Sequence, residues 1–126
     1  MLMVTDLFGI LRRLELTPTA TNILSVMVDK QNPGGVVPLT QQDIAEELQI
    51  LPSVVSRSMT LLVERGLVLR KGYRYRLHPA IAGYNTELEM QAAMARAARE
   101  GVPPILIPDY QKAPPKAGPT RLRVAG

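Results

Sequence analysis

The stretch from Leu39 to Leu77, LTQQDIAEELQILPSVVSRSMTLLVERGLVLRKGYRYRL, reads as two short helices joined by a tight turn and followed by a basic β-hairpin. Thr40 opens the first helix. Its hydroxyl stands three residues ahead of Asp43, with acids in the first turns, an arrangement that satisfies free backbone N–H groups and suits the positive end of the helix. Ile44, Ala45 and Leu48 recur at helical spacing and form the buried stripe. Gln49 to Pro52 turn the chain, and Ile50 is expected to plug the angle between the helices. Ser53 is expected to cap the second helix, VVSRSMTLLVERG, in which Val55, Met59 and Leu62 face inward and Gly66 supplies a left-handed end. Leu67 to Arg70 then reads as a strand, Lys71-Gly72 as a turn and Tyr73 to Leu77 as the returning strand, ended by His78-Pro79.

Working outward toward the N-terminus, Thr5 or Asp6 can cap a helix with Leu7, Ile10, Leu11 and Leu14 on one side and Arg12 and Arg13 off that stripe. Thr17-Pro18 starts another helix, since a hydroxyl cap followed by proline at the first helical position suits an N-terminus. Its dense apolar run, Ile23, Leu24, Val26, Met27 and Val28, implies burial on more than one side. QNPGG stops it near Lys30, and Val36, Val37 and Leu39 predict a brief strand. Toward the C-terminus, Thr86 to Glu100 predicts a helix closed by Gly101. Its apolar face of Met90, Ala93, Met94 and Ala97 is narrow and suits close packing against another helix. VPPILIPDY is extended by its prolines yet too apolar for a simple linker. Gln111 to Gly126, with Lys112, Lys116, Arg121 and Arg123 and no acid, has the composition of a disordered end. The expected fold is mainly α with a small β-hairpin wing (α+β), a winged helix-turn-helix with flanking helices. Residues 1–84 form the domain, 85–101 a helix available for dimerisation, and 102–126 a proline-rich basic tail, partly disordered.

Composition narrows the function classes. At 126 residues the chain has room for one core, and its formal charge of +4 favours a polyanionic partner. No cysteine is present, so disulfides, thiolate metal sites and thiol nucleophiles are excluded. The opening MLMVTDLFGILRRL has no basic segment before its apolar run and no small-residue cleavage site, and no apolar run reaches the roughly 18 residues a membrane span needs. A soluble, cytoplasmic protein is expected. The sequence has no phosphate-binding glycine loop, no metal-ligand cluster and no nucleophile with a plausible base, His78 being its lone histidine. No catalytic residue, metal or cofactor is therefore expected, and the sequence names no small-molecule effector.

Charge distribution points to double-stranded DNA. Opposite its buried stripe, the second helix presents Ser53, Ser56, Arg57 and Thr60, and in a helix-turn-helix the N-terminal part of this helix enters the major groove. Arg57 has the reach for a bidentate contact to guanine, and the hydroxyls suit bases or phosphates. Between Arg57 and Arg76 the chain carries six cations (Arg57, Arg65, Arg70, Lys71, Arg74, Arg76) against one acid, Glu64, whereas the preceding helix carries Asp43, Glu46 and Glu47. Phosphate binding needs such a separation. In the hairpin, tyrosines alternate with Arg74 and Arg76, so one face can pack while the other meets DNA. Each feature has a plainer reading. Arg57 is ordinarily a solvated helix side chain, Arg74 and Arg76 ordinarily keep a strand edge from pairing with another chain, and Thr40, Gln41 and Gln42 ordinarily just start a helix. Their placement favours base or phosphate contact by Arg57, contact through the wing residues Arg70, Lys71, Arg74 and Arg76, and a phosphate at the Thr40–Gln42 helix start. Tyr73 and Tyr75 are expected to pack, and His78 to be structural.

The string from Thr40 to Pro79 resembles the winged-helix domains of bacterial regulators of the MarR and Crp types, through LTQQDIAEEL, LPSVVSRSMTLLVERGLV and RKGYRYRLHP. That resemblance implies that Ser56 and Arg57 lie in the recognition helix and that Leu62 to Val68 lead into the wing. The larger stretch from Leu7 to Gly83 also resembles plasmid replication initiators of the RepL type, although His78-Pro79 stands where those have Asn-Pro. The leading expectation is a sequence-specific DNA-binding homodimer that regulates transcription, since one recognition helix reads only a few base pairs. A plasmid replication or partition protein is the alternative, and a protein-interaction winged helix that never touches DNA is a third.

Overall fold

Each principal helix begins where a residue suited to an N-terminus stands. In the computed structural model, which describes residues 2–3, 7–72 and 74–107, helix α1 (Leu7–Ile10) runs into a 3-10 turn (Leu11–Leu14), followed by α2 (Pro18–Lys30). Thr17 caps α2 as expected, its Oγ1 accepting from the Ala20 N–H at 3.1 Å, with Pro18 in the first turn. The expected first helix is shorter and tighter than its apolar spacing implied. It narrows after Ile10 and ends with Glu15 in the left-handed region at φ 52°, while Thr5 and Asp6 lie outside the described residues.

Helices α3 (Gln41–Leu48) and α4 (Pro52–Glu64) form the helix-turn-helix. A full capping box starts α3: Thr40 Oγ1 accepts from the Asp43 N–H at 3.1 Å, and the Asp43 carboxylate accepts from the Thr40 N–H at 2.9 Å. The start of α4 corrects the expected cap. Leu51, not Ser53, is the N-cap and makes no side-chain cap bond. Pro52 takes the first turn because its fixed φ suits that position and its missing N–H needs no partner there. Ile50 packs half-buried against the core, as expected.

The sheet order is β1 (Val36–Val37), β3 (Arg74–Leu77), β2 (Val68–Lys71), all antiparallel. Strand β2 begins and ends one residue later than expected, so Lys71 is a strand residue paired with Arg74 rather than part of the turn. Gly72, at φ +64°, starts the turn, since a tight hairpin requires a left-handed residue there. Val68 pairs with Leu77 and Arg70 with Tyr75, so these residues share the inner face of the sheet; Leu69 with Arg76 and Lys71 with Arg74 share the outer face. The core lies between that inner face and α2, α3 and α4, with Ile23, Leu24, Met27, Ile44, Val55, Leu62, Val68 and Leu77 buried in it.

Two parts of the core lie outside the helices and strands expected from the sequence. Residues Ile81, Ala82 and Tyr84, in the loop after β3, are buried, and the Gly83 N–H donates to buried Gln31 Oε1 at 2.7 Å. Gln31 in turn donates to the Val28 carbonyl, which ties the end of α2 to that loop. Beyond α5 (Glu87–Glu100), residues 102–107 run as an extended strap past His78 and the end of α4. His78 holds it. Its Nδ1 accepts from the Ala80 N–H at 3.0 Å, so the ring proton sits on Nε2, which donates to the Pro103 carbonyl at 2.7 Å. The Leu106 N–H donates to the Arg65 carbonyl at 2.7 Å, and Ile105 and Ile107 pack against the core. The structural role expected for His78 and the apolar character of this segment have one explanation. The basic residues from Lys112 to Arg123 lie outside the described residues.

Gly34 and Gly35 both have positive φ, at +94° and +91°, but only Gly35 is confined, since a Cβ there would lie 2.7 Å from Ala82 Cβ and 3.1 Å from the Leu77 carbonyl oxygen. Gly34→Ala is therefore expected to cost only the backbone strain of about 1–3 kcal/mol, and Gly35→Ala to cost more, measured by urea unfolding. Equal losses would show that the loop yields to the added methyl group.

Candidate nucleic-acid interface

The exposed face of α4 carries Ser53, Ser56, Arg57 and Thr60, opposite buried Val55, Met59 and Leu62. Spacings of three and four residues put all four on one stripe. Arg57 is exposed near the first turns. Thr60 has less freedom than its hydroxyl suggested, because it donates to the Ser56 carbonyl at 3.1 Å and keeps only acceptor capacity. Ser58, also on α4, is buried.

At the start of α3 the three polar residues are not equivalent. The capping box engages the Thr40 N–H, and Gln42 Nε2 donates to Glu46 at 3.2 Å. Gln41 instead turns toward the sheet and donates from Nε2 to Tyr75 Oη at 2.7 Å. The acids Glu46 and Glu47 lie on the exposed side of α3, away from Ile44 and Leu48.

The hairpin divides the predicted wing residues between two faces. Arg70 shares the inner face with Tyr75, its guanidinium carbon 5.8 Å from the ring centroid, and its Nε donates to the Gly72 carbonyl at 3.1 Å. Lys71 and Arg74 are exposed at the hairpin end on the outer face. Arg76 is also on the outer face, in a cleft with Tyr84 and the α5 residues Ala93, Arg96 and Ala97. Burial pushes the Tyr84 hydroxyl pKa up, while Arg76 and Arg96 nearby oppose that shift. Arg65, counted above among the cations, is half-buried and donates from Nε to the Leu14 carbonyl at 3.0 Å, so it serves the packing of the N-terminal segment.

Gln41, Ser56, Thr60, Glu64, Arg70 and Tyr75 therefore meet around one cleft of about 170 Å³ between α3, α4 and the wing. The sequence reading missed Tyr75 as the residue linking Gln41 to Arg70. The signal was available in principle, since inward parity on β3 places it opposite Arg70 once the turn is fixed. It also gave no place to Glu64, which brings a carboxylate to the same cleft. Among the described residues, no group of His, Asp and Glu side chains is arranged to hold a metal ion, and no helix is long and apolar enough to cross a membrane.

Two helices at a tight turn, a three-stranded sheet closing over them and a hairpin beside the second helix make a winged helix. Residues 14–72 match the model of the MarR family. The MarR match runs from the end of the 3-10 turn through α4 and β2 to Gly72, so it contains the α4 stripe and Arg70 and stops before β3 and α5. Searches of curated proteins and of solved structures found no match to the chain.

Arg57 is exposed on α4. Arg57→Ala is expected to leave unfolding free energy within about 0.5 kcal/mol. On a specific duplex it is expected to lose about 1–3 kcal/mol of binding and relax the sequence preference at the position it reads. Unchanged affinity and preference in a mobility-shift titration would remove Arg57 from base readout.

Proposed function

We propose that this chain binds double-stranded DNA with sequence preference as a winged-helix homodimer and regulates transcription. The observation that carries the reading is the exposed polar stripe of α4, which meets the hairpin residue Arg70 across one cleft. Ser53, Ser56, Arg57 and Thr60 are exposed on α4, and Ser56 and Thr60 meet Arg70 in the cleft beside the wing, while Lys71 and Arg74 are exposed at the hairpin end. On this reading α4 enters the major groove, with Arg57 and the hydroxyls toward base edges, and the wing follows the backbone. The MarR match supports it, because the matched segment contains α4 and the whole of β2, the first strand of the wing. Arg76, on the outer face beside α5, makes a weaker contribution than Arg74 in this arrangement.

Pairing of two copies follows from how little one recognition helix can read. Helix α5 supports it. It is a well-formed helix, capped by Thr86 and ended by Gly101 at φ +70°, yet none of its side chains is buried, and Leu88 is 77% exposed. A second copy would cover such a face.

The test is selection of bound sequences from a random duplex pool. Enrichment of a palindrome supports a regulator that binds as a dimer. Direct repeats in its place would assign the chain to a plasmid replication or partition role, with the same contact chemistry. Retention of no duplex would overturn DNA binding and leave a winged helix that meets protein. Arg74→Ala is expected to weaken binding to all duplexes alike and to reduce the slope of log affinity against log salt by about one. An unchanged slope would take Arg74 out of the phosphate contacts.

A further inference from the structure

The side chain at the head of α4 serves neither the core nor the helix. Leu51 is the N-cap of α4, in extended backbone, and makes no side-chain cap bond. Its carbonyl accepts from the Val54 and Val55 N–H groups at 3.0 and 3.2 Å, which starts the helix through backbone alone. A side-chain oxygen here would satisfy a further free N–H group, and leucine ranks among the poorest residues for the position. Burial does not explain it either, since Leu51 is 67% exposed while its neighbours Leu48 and Ile50 pack against the core. Pro52, which follows, is also exposed. The tip of α4 is therefore apolar, ahead of the polar stripe of Ser53, Ser56, Arg57 and Thr60. A solitary exposed leucine is ordinary on a protein surface. At this position it also takes the place of a capping oxygen, and that asks for a second use.

We propose that Leu51 selects thymine, its side chain packing on the C5-methyl group of one thymine in each half-site. The proposal rests on the DNA-binding reading above and adds to it a residue, a base and the group on that base. In the major groove the base pairs offer donors and acceptors, which suit Arg57 and the serines, and a single apolar group, the thymine methyl. Leucine has no side-chain hydrogen bond to give, so that methyl group is the base feature it can select. Contact between the two removes apolar surface of both from water. The N-terminal part of a recognition helix is the part that enters the groove, which places residue 51 among those that reach base edges. Pro52 has a fixed φ and also restricts the backbone of Leu51, so little chain freedom is lost when the contact forms. A phosphate would only lose water to such a side chain.

The test uses the full chain and the duplex recovered by selection, with each thymine in turn replaced by uracil, which removes the methyl group and keeps the hydrogen-bonding edge. One replacement per half-site is expected to lower wild-type affinity about three- to fivefold, the effect of losing burial of roughly one methyl group. Leu51→Ala is expected to lose a similar factor on the thymine duplex and nothing further on that uracil duplex. Leu51→Met keeps both the affinity and its dependence on the methyl group. Alanine caps a helix as poorly as leucine, so Leu51→Ala is expected to leave urea unfolding unchanged and its loss reads as contact rather than fold. Selection repeated with Leu51→Ala is expected to erase the thymine preference at that one position and retain the others. A selected half-site without thymine, wild-type indifference to every uracil replacement, or a Leu51→Ala chain that binds and selects as the wild type does would each overturn the thymine contact and leave DNA binding intact. A wild-type chain that retains no duplex would overturn both.

Discussion

Strand β3 is the constraint on which the rest of this structure depends. It lies between β1 and β2, so its register fixes both neighbours, and its two-residue alternation sends Tyr75 and Leu77 into the core and Arg74 and Arg76 out. A slip of one residue would bury guanidinium groups and expose the residues that close the core over α4. The cost of burying unpaired charge is what holds this register. Because Tyr75 is held inward, its hydroxyl reaches Gln41 on α3 and its ring lies beside Arg70 on β2. The face that would meet DNA is thus a by-product of how the sheet packs.

The helix-turn-helix was legible because its signals are local. Thr40 with Asp43, Thr17 with Pro18, and the spacing of Val55, Met59 and Leu62 each report on a few neighbouring residues, and each stands where its chemistry requires. The start of α4 was misread because Ser53 and Pro52 are adjacent start signals, and the proline's fixed backbone prevailed over the serine's hydroxyl. The end of α1 was misread because apolar spacing does not distinguish an α-turn from the tighter 3-10 turn that precedes Glu15.

What sequence could not supply was partnership between distant residues. Arg65 reads as one more cation in a basic run, and only the packing of the N-terminal segment turns it to the Leu14 carbonyl. Arg70 and Arg76 look alike in sequence, yet cross-strand pairing puts them on opposite faces, one beside α4 and the other beside α5. Gln31 to Gly83 and His78 to Pro103 join residues with no shared pattern. The candidate site was legible as a set of residue types, and its division into faces was not.

Strand β1 precedes the helix pair and β3 follows it, and the two strands lie side by side. The helix pair is therefore an excursion that leaves and re-enters the frame at one place. Its outward stripe on α4 contributes little to the core, and substitutions at such exposed positions ordinarily change stability by less than about 0.5 kcal/mol. On the proposed DNA-binding reading, sequence preference and integrity of the fold fall to separate sets of residues, exposed Ser53, Ser56 and Arg57 in one and buried Val55, Met59 and Leu62 in the other. A lineage that reads DNA in the proposed way could drift through new target sequences without losing the fold.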